Sequence, residues 1–518
     1  MGNSVAVLRL LLDKGCNPNE KTLNGMTPLM AAARGNTEAM RLLIDKRADV
    51  NARNAAGGTA LMAAALTGRD EAVRVLLEKG ADPNAQTKRN ETALADAATS
   101  GNEETVKLLL EHGAKVNVQD IRGYSPLLYA AGSDAMPAGV VKMLLAKGAD
   151  QKAKGDDETA RMLAAKRGDT DVARLLGVSG EERKQIDALP SKGNGGERSI
   201  ADAVGPALAL LEQQSHNFIR IGGCNSCHAQ DLPSAAAAIA REHGLPAPKS
   251  ISQLPQSMHA LNPERIMDLA VIAVAGLGWE MFDFGSNGVP RDEYTDATVR
   301  YMKSMQMPEG NWLVTESHRP PMAAGAYQTA ALVIYTLRKY GPPAEQADTE
   351  KAITRATAWL EAAKPTTTQD RAFRLLGLAW AGAASTSVTA AVKSLAAAQR
   401  PDGGWSQLST MQSDSYATGQ ALYALNAAGN LPTIDPVYVR GVKYLLGTQA
   451  ADGSWYVKSR SIWLQPYFDS GFPYGHDQWI SAAGTAWATM ALSLTVPPQQ
   501  LTKNATSLAE TLRLAQTH

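Results

Sequence analysis

The chain lacks the features that tie a protein to nucleic acid or to a membrane. Its 518 residues carry 51 Lys and Arg against 51 Asp and Glu, so the formal net charge is zero. A balanced chain has no bulk electrostatic attraction for nucleic acid or for an anionic lipid surface. The longest apolar stretch, in DLAVIAVAGLGW, is too short to span a bilayer. We therefore expect no nucleic-acid partner and no transmembrane segment.

Cysteine is also scarce, and the few residues present are unevenly placed. Of three cysteines, Cys16 stands alone near the N-terminus, whereas Cys224 and Cys227 lie three positions apart, directly before His228. No charged and then apolar signal peptide precedes the first domain. Cysteine chemistry is therefore concentrated at one place in the chain.

The first 178 residues repeat with a fixed period. A Thr or Ser recurs after each short turn, at spacings of 32, 33, 33 and 34 residues, at Thr27, Thr59, Thr92, Ser125 and Thr159. Between these positions recur segments such as LLEKGADPN and LLEHGAKVN. Each copy predicts a short helix, a tight turn, a second, apolar helix and an extended polar loop.

This pattern resembles ankyrin repeats over residues 3 to 178, which implies a solenoid that binds a protein partner through its concave face. Met30 and Met62 stand where the family usually has histidine, which weakens the hydrogen bonding of the turn and leaves the fold intact. Cys16 takes the place of an alanine in the loop, so we expect a small packed residue. Residues 3 to 15 match only the second helix of a repeat, which predicts that upstream residues are missing, and a lost signal peptide is compatible with this beginning.

Residues 179 to 198 are polar and glycine-rich, which predicts a linker before a second repeat system. SMQMPEGNW, AAQRPDGGW and GTQAADGSW share the pattern Gln-x-x-x-Gly-x-Trp, beginning at Gln306, Gln399 and Gln449. Each segment follows an amphipathic helix and precedes, after a loop, a helix rich in small apolar residues. With two degenerate copies, residues 199 to 495 predict about six helix pairs.

The second system resembles the α/α toroids of the squalene/hopene cyclase and protein prenyltransferase superfamily, in which this pattern is the QW motif. The resemblance implies inner helices that close into a ring around a cavity. We expect the glutamine to cap an outer helix, the glycine to permit the turn and the tryptophan to pack against the neighbouring repeat. The predicted fold class is all-α, with an ankyrin solenoid at 1–178, a toroid at 199–500 and a C-terminal tail at 501–518.

Cys224, Cys227 and His228 fall between the outer and inner helix of the first toroid pair. Cys-x-x-Cys-His supplies two thiolates for the vinyl groups of haem and an imidazole for its iron, which predicts one covalent haem c. A thioredoxin-like redox pair usually lies in a βαβ fold, whereas this chain is predicted to be helical. A zinc site would need further ligands, which the other cysteine of the chain does not supply. A plain disulfide between Cys224 and Cys227 remains an alternative. Haem c is attached outside the cytoplasmic membrane, so the hypothesis predicts a periplasmic or extracellular protein. The whole chain resembles bacterial proteins that join ankyrin repeats, this motif and a toroid.

The catalytic residues of the toroid superfamily are not reproduced in this sequence. Its cyclases protonate their substrate with Asp-x-Asp-Asp, whereas here Asp414 is retained and Tyr416 replaces the central acid. Its prenyltransferases hold zinc with an Asp, a Cys and a His, and no cysteine follows position 227. We therefore expect neither the cyclase site nor the prenyltransferase zinc site in this chain.

One polar and aromatic loop, residues 455 to 481, is predicted to cap the toroid mouth, to bind a ligand, or both. Its candidate pocket residues are Lys458, Arg460, Tyr467, Asp477 and Trp479. Closure of a six-pair ring makes the first and sixth pairs neighbours. His476 of the sixth pair is therefore predicted to ligate the haem iron or to line its pocket. Asp477 or a backbone carbonyl would orient its imidazole. His318 in the third pair is a weaker candidate, and the alternatives are an open position or Met258.

Together these features predict an exported c-type haem protein with an ankyrin interaction module. The haem would serve electron transfer or the sensing of a redox state or ligand, and a small apolar molecule is an expected ligand of the toroid. One alternative is an enzyme that acts on an isoprenoid-like substrate in the cavity, and another is an interaction scaffold. Three of the other histidines are expected to be solvated, namely His112, His243 and His518, whereas His216 and His259 lie near the haem repeat.

Overall fold

The computed structural model of the protein describes residues 5–182, 198–222, 227–252, 273–312, 325–460 and 468–498, with backbone alone at 219, 221–222, 227–228 and 273. These parts of the chain are mostly helical, and their strands form short two-stranded hairpins, which confirms the predicted all-α class. Most of the predicted linker and the whole predicted tail lie outside the described residues. No helix among those described has the length and apolar character needed to cross a membrane.

A single helix and five stacked helix pairs form the N-terminal solenoid. The elements are α1 (Val5–Asp13), α2 (Pro28–Ala33), α3 (Thr37–Asp45), α4 (Ala60–Leu66), α5 (Asp70–Glu78), α6 (Ala93–Ser100), α7 (Glu103–Glu111), α8 (Pro126–Ala131), α9 (Ala138–Ala146), β1 (Lys154–Gly155), β2 (Glu158–Thr159), α10 (Ala160–Ala165) and α11 (Asp171–Leu175). Leucine, valine and alanine side chains from successive pairs form one continuous core. The period predicted from the sequence is confirmed.

The recurring Thr or Ser fixes where the first helix of each pair begins. In every copy its backbone is extended and its side-chain oxygen accepts a hydrogen bond from the backbone N–H three residues later, at Thr27, Thr59, Thr92, Ser125 and Thr159. Such a cap satisfies one of the N–H groups that the first turn leaves without a partner. The methionines that replace the usual histidine at 30 and 62 are buried and keep this cap intact.

Eleven further helices are described in the C-terminal region. They are α12 (Ile200–Gly222), α13 (Leu232–Glu242), α14 (Ala273–Ser286), α15 (Glu293–Ser304), α16 (Ala326–Tyr340), α17 (Gln346–Ala362), α18 (Thr368–Ala381), α19 (Ser385–Ala396), α20 (Ser415–Ala427), α21 (Pro436–Thr448) and α22 (Gln478–Ser493), with a hairpin of β3 (Trp405–Ser406) and β4 (Ser413–Asp414) before α20.

Six of these helices form a closed inner ring. Its order is α13, α14, α16, α18, α20, α22 and back to α13, and α12 closes the outer layer by packing on both α13 and α22. The outer helices reverse the chain direction between inner helices, so the inner helices all begin at the same end of the ring. We call this end the entry rim. The arrangement agrees with the predicted α/α toroid, and the position expected for the second outer helix lies outside the described residues.

The QW motifs tie neighbouring outer helices together. Each motif glutamine donates from its side-chain amide, at 2.8 Å, to a backbone carbonyl of the next outer helix, at Ala352, Val437 and Ala203. The last of these bonds joins the sixth pair to the first. Each motif tryptophan donates its indole N–H to a carbonyl ten residues earlier in its own outer helix. Glutamine therefore links the repeats, and tryptophan caps the helix that precedes it.

The axis of the ring is filled by aromatic side chains. Trp279, Phe282, Phe373 and Trp487 are almost fully buried and contact one another edge to face at 6.0 to 6.1 Å between centroids. Phe282 in α14 also lies 6.4 Å from the ring of Tyr423 in α20, although these two helices stand on opposite sides of the ring. At this level the toroid has a packed core where the family resemblance implies a cavity.

The ankyrin solenoid packs against the entry rim. Among the described residues, three loops of the toroid meet turns that join the first and second helix of a repeat, at Gly35, Arg69, Asp134 and Arg167. In the third pair, Glu309 forms an ion pair with Arg69 at 2.7 Å. In the fifth pair, the Thr410 hydroxyl donates to the carbonyl of Arg167 at 2.5 Å. In the sixth pair, Arg460 forms an ion pair with Asp134 at 2.9 Å.

Candidate functional site

The Cys-x-x-Cys-His segment lies at the entry rim, where the first pair passes from its outer to its inner helix. Helix α12 ends at Gly222, and the backbone from Cys227 to Asp231 forms a π-helical turn that runs directly into α13. Cys224 lies outside the described residues, as do the side chains of Cys227 and His228. The backbone of Cys227 and His228 therefore lies in the turn that leads into an inner helix, next to both helices of the first pair.

A small apolar cluster adjoins this turn and is separate from the main toroid core. It consists of Phe218 in α12, Ala229 in the π-helical turn, Trp479 in α22 and Phe468 in the preceding loop. The ring centroid of Phe218 lies 4.7 Å from that of Phe468 and 5.8 Å from that of Trp479. We call these four residues the rim cluster. Because Ala229 directly follows His228, the cluster sets an aromatic surface beside the motif.

Gln478 fixes the loop of the sixth pair to the start of α22. Its side-chain oxygen accepts hydrogen bonds from the backbone N–H and the hydroxyl of Ser470, at 2.8 and 2.6 Å. Its amide donates to the carbonyl of Phe468 at 3.2 Å. All of these groups belong to a buried or partly buried layer, so they fix the position of Phe468 in the rim cluster.

Asp477 binds a second part of the same loop, residues 456–459, through hydrogen bonds. Its carboxylate accepts a hydrogen bond from the Tyr456 hydroxyl at 2.8 Å and another from the Ser459 backbone N–H at 2.9 Å. The burial of Tyr456 and the Asp477 charge together raise the pKa of that hydroxyl, which keeps it protonated as a donor. Asp477 thus holds residues 456–459 beside the start of α22.

The structure brings some of the predicted site residues to one place and separates others. Asp477 and Trp479 lie at the entry rim beside the motif, as ring closure predicts. The His476 side chain is exposed in the short 3₁₀ turn Gly475–Asp477, and Lys458 is half-buried. Other candidates lie outside the described residues, namely Tyr467, His318 and Met258.

Arg460, predicted as a pocket residue, faces the ankyrin solenoid. Its guanidinium donates to the Asp134 carboxylate at 2.9 to 3.1 Å, and Arg167 donates to the same carboxylate at 3.2 Å. Arg167 also donates to the carbonyl of Arg460 at 2.7 Å. All three side chains are at most 3% exposed. Two guanidinium groups from different domains therefore share one buried carboxylate, and we call this the arginine–aspartate bridge.

The position of the cyclase acid holds a structural residue. Asp414 caps α20 by accepting from the Ala417 backbone N–H at 2.8 Å, and it also accepts from Gln407 at 2.9 Å. Burial raises the pKa of Asp414 to about 6. Tyr416 is fully buried and donates its hydroxyl to Gln369 at 3.1 Å. Asp414 and Tyr416 thus serve the start of an inner helix, and the sequence gives no central acid for proton transfer.

Three acids that were not predicted from the sequence lie close to the motif segment, with Asp283 buried and Glu280 and Asp231 half-buried. Glu280 and Asp283 in α14 approach Asp231 at the start of α13, and burial is the main cause that raises the pKa of all three carboxyl groups. The pKa of Glu280 rises to about 7, and its carboxyl accepts a hydrogen bond from Tyr294 at 2.6 Å. Asn287 donates to Asp283 at 2.8 Å. The segment WEMFDF carries the signal, because it places two acids among aromatics in a buried helix.

Two smaller expectations are wrong. Cys16 is exposed in the ankyrin loop and does not pack as a small core residue. His243 is buried at the end of α13, where its ring bonds to the carbonyl of Val496 after α22, so it is not solvated. This bond joins the two helices that close the inner ring.

Among the side chains described, no group of three His, Cys, Asp or Glu residues is arranged to hold a metal ion.

Comparison with known proteins agrees with the N-terminal repeats. The family model of ankyrin repeats in three copies matches residues 1–87 and 79–154 of the chain. This part of the protein is therefore similar to an ankyrin module, which in general serves protein–protein interaction. No curated protein matches the chain.

Proposed function

We propose that the protein is a c-type haem protein in which the entry rim of the toroid carries the haem and the ankyrin solenoid recognises a protein partner. The observation that carries the proposal is the convergence of the first and sixth pairs at the Cys-x-x-Cys-His segment. This convergence places the rim cluster beside the one motif in the sequence that has the donor set for haem c.

The described residues fit a haem in one respect, and the sequence of the motif fits it in another. The macrocycle is large and apolar, and the rim cluster offers Phe218, Phe468 and Trp479 as an aromatic surface next to the motif. Cys224 and Cys227 supply the two sulfurs for thioether bonds, and His228 supplies an imidazole ligand. A haem held there supplies one-electron redox chemistry or a position for a small ligand.

The neighbouring residues of this chain would order the site. Gln478 holds Phe468 in place, which keeps an apolar side chain over the start of α13 and limits the access of water. His476 is our candidate for the second axial ligand, because it lies two residues before Gln478 in the segment that meets the first pair. A neutral imidazole is a strong ligand for haem iron.

The domain arrangement supports a role in electron transfer or in sensing. The solenoid contacts the same rim that carries the motif, so a partner bound to the solenoid would be held at that end of the toroid. Since haem c is attached outside the cytoplasmic membrane, the proposal includes export to the periplasm or the cell exterior. The apolar-substrate enzyme receives no support from the ring axis, which aromatic side chains fill.

Expression with and without a haem c maturation system tests the proposal. We expect the matured protein to be red and to retain its absorbance in denaturant, and Cys224→Ser to retain at most one thioether. Cys16→Ser is the matched control, because Cys16 is exposed in the solenoid far along the chain from the motif, and it should leave the spectrum unchanged.

The same preparation tests the axial ligand. If His476 ligates the iron, His476→Ala will change a low-spin spectrum, and an unchanged low-spin spectrum excludes ligation by this residue. A colourless protein with a Cys224–Cys227 disulfide, made in a host that matures other haem c proteins, would overturn the haem assignment as a whole.

A further inference from the structure

The loop of the sixth pair contacts both the ankyrin solenoid and the segment that carries the Cys-x-x-Cys-His motif. On one side, Arg460 is bound into the arginine–aspartate bridge with Asp134 and Arg167 of the solenoid. On the other side, Trp479 and Phe468 pack into the rim cluster. The loops that carry Glu309 and Thr410 also contact the solenoid, but neither contributes a residue to the rim cluster.

A direct set of hydrogen bonds connects the two contacts. Ser459, the residue before Arg460, donates its backbone N–H to Asp477 at 2.9 Å. Tyr456 donates its hydroxyl to the other carboxylate oxygen at 2.8 Å. The backbone of Val457 exchanges hydrogen bonds with the Ser481 hydroxyl of α22, at 2.9 and 3.1 Å. The extended segment that ends in Arg460 is therefore fixed to the first turn of α22.

That first turn of α22 is also the part that contacts the motif segment. Gln478 follows Asp477 and holds Phe468, and Trp479 lies 5.8 Å from Phe218, ring centroid to ring centroid. A displacement of residues 456–460 would pull on Asp477 and thereby on Phe468 and Trp479, the two rim-cluster residues of the sixth pair. Buried, well-packed groups of this kind move together because a gap between them costs contact energy.

We infer that the ankyrin solenoid acts as an intramolecular clamp on the rim cluster, through the arginine–aspartate bridge and Asp477. A partner that shifts the solenoid on the rim therefore loosens the residues beside the Cys-x-x-Cys-His motif. The inference extends the proposed function, because those residues would surround the haem. The coupling itself depends only on protein contacts, so it is measurable whether or not haem is bound.

Amide hydrogen exchange on the full chain tests the clamp. Arg460→Met is the main variant, since it removes the contact across the domains and leaves Arg167 paired with Asp134 inside the solenoid. We expect exchange to rise about tenfold or more in residues 227–231 and 468–479, as expected for a local opening that becomes easier. Asp477→Asn, which weakens the next link, should raise exchange in the same two segments.

Two control variants break solenoid–toroid contacts in other pairs. Glu309→Gln removes the ion pair with Arg69 in the third pair, and Thr410→Val removes the hydrogen bond to Arg167 in the fifth pair. Both should leave exchange in residues 468–479 within about twofold of the wild-type value. The matured protein adds a second measurement, because Arg460→Met should also shift the visible spectrum or the reduction potential.

The outcomes separate the clamp from the haem proposal. If Arg460→Met speeds exchange in residues 132–137 of the solenoid but leaves residues 227–231 and 468–479 unchanged, the clamp is wrong. Equal acceleration of these segments in Arg460→Met, Glu309→Gln and Thr410→Val would also overturn it, because it would show general loosening. A colourless protein with the expected exchange pattern would support the clamp and contradict only the haem proposal.

Discussion

The acidic residues in the interior of this protein differ in the groups that replace water around their carboxylates. Asp134 is matched by two guanidinium groups, whereas Asp414 is bound by a backbone N–H and an amide. Glu280 has one hydroxyl partner, and burial dominates its environment. A carboxyl group that lacks a cation and is removed from water favours its neutral form, which is why the pKa of Glu280 is raised to about 7.

Replacement of Glu280 by Gln should change how stability depends on pH. The raised folded-state pKa contributes stability that is complete below the unfolded value near 4.5 and is lost as the pH rises through about 7. Gln keeps an acceptor for Tyr294 and cannot ionise. We expect the Tm of Glu280→Gln to match wild type near pH 5 and to exceed it near pH 8.5 by roughly 2 to 4 °C.

Calorimetry at three or four pH values would measure this difference. Asp348→Asn, at an exposed position of α17, serves as the control and should follow the wild-type curve. Identical pH dependence in wild type and Glu280→Gln would show that Glu280 ionises in the fold at no cost, contrary to the prediction.

Single residues at the rim were predictable to different degrees from the sequence. The placement of Trp479 and Asp477 beside the motif follows from ring closure, which the repeat count alone predicts. The partners of Arg460 could not be predicted, because Asp134 and Arg167 belong to a different repeat system and no periodicity relates the two. The Asp134 turn, GSDAMPAG, is longer than the corresponding turns, and this departure was the only available signal.

At the scale of elements, each QW loop combines a turn and a contact with the next outer helix. The motif glycines Gly310, Gly403 and Gly453 have φ of +102°, +86° and +92°, a region that favours glycine. A Cβ at Gly403 would lie 2.6 Å from the carbonyl oxygen of Arg440 in α21. The glycine is therefore required both by its own backbone and by its neighbour.

Gly403→Ala should destabilise the toroid by about 2 kcal/mol or more, because strain in φ adds to a clash with rigid backbone. Gly382 is a matched control, since its φ is +71° and a Cβ there would meet no atom within 4 Å. Gly382→Ala should cost only about 1 kcal/mol, from the backbone alone. Chemical denaturation of both variants gives the comparison, and equal losses would show that the contact with α21 contributes nothing.

The positions of the individual helices in the sequence could largely be predicted, whereas the contacts between distant helices could not. Thr or Ser caps and the 33-residue spacing indicate where the solenoid helices begin, and the QW motifs indicate where the outer helices end. The aromatic filling of the ring is different, because Phe282 and Tyr423 meet only after α14 and α20 are placed on opposite sides. Hydrophobic periodicity identifies the buried face of each helix but does not specify which distant helix that face will contact.

At the scale of the whole molecule, the packed axis bears on the alternative that the toroid is a cyclase. The aromatic residues that fill the ring come from α14, α18, α20 and α22, and the position of the central catalytic acid is Tyr416. A triterpene could not occupy the ring axis at this level without displacing these side chains. The scaffold and haem interpretations require no such rearrangement.

We therefore expect squalene to remain unchanged after incubation with the protein. Product extraction followed by gas chromatography and mass spectrometry would detect any conversion. The comparison variant is Asp414→Asn, which keeps an N-cap for α20 and removes the one acid retained from the cyclase motif. A polycyclic product made by the wild type and lost in Asp414→Asn would refute this expectation and restore the enzyme interpretation.

The bond from Gln449 to Ala203, which joins the last toroid pair to the first, also affects how the two halves of the protein can change in evolution. The solenoid has two ends, so duplication or loss of a 33-residue unit lengthens or shortens it without breaking its internal contacts. The ring has no end at which a pair can be gained, because a change in number would open the seam that Gln449 and His243 close. Homologous genes should therefore vary in the number of ankyrin units while they keep the number of toroid pairs.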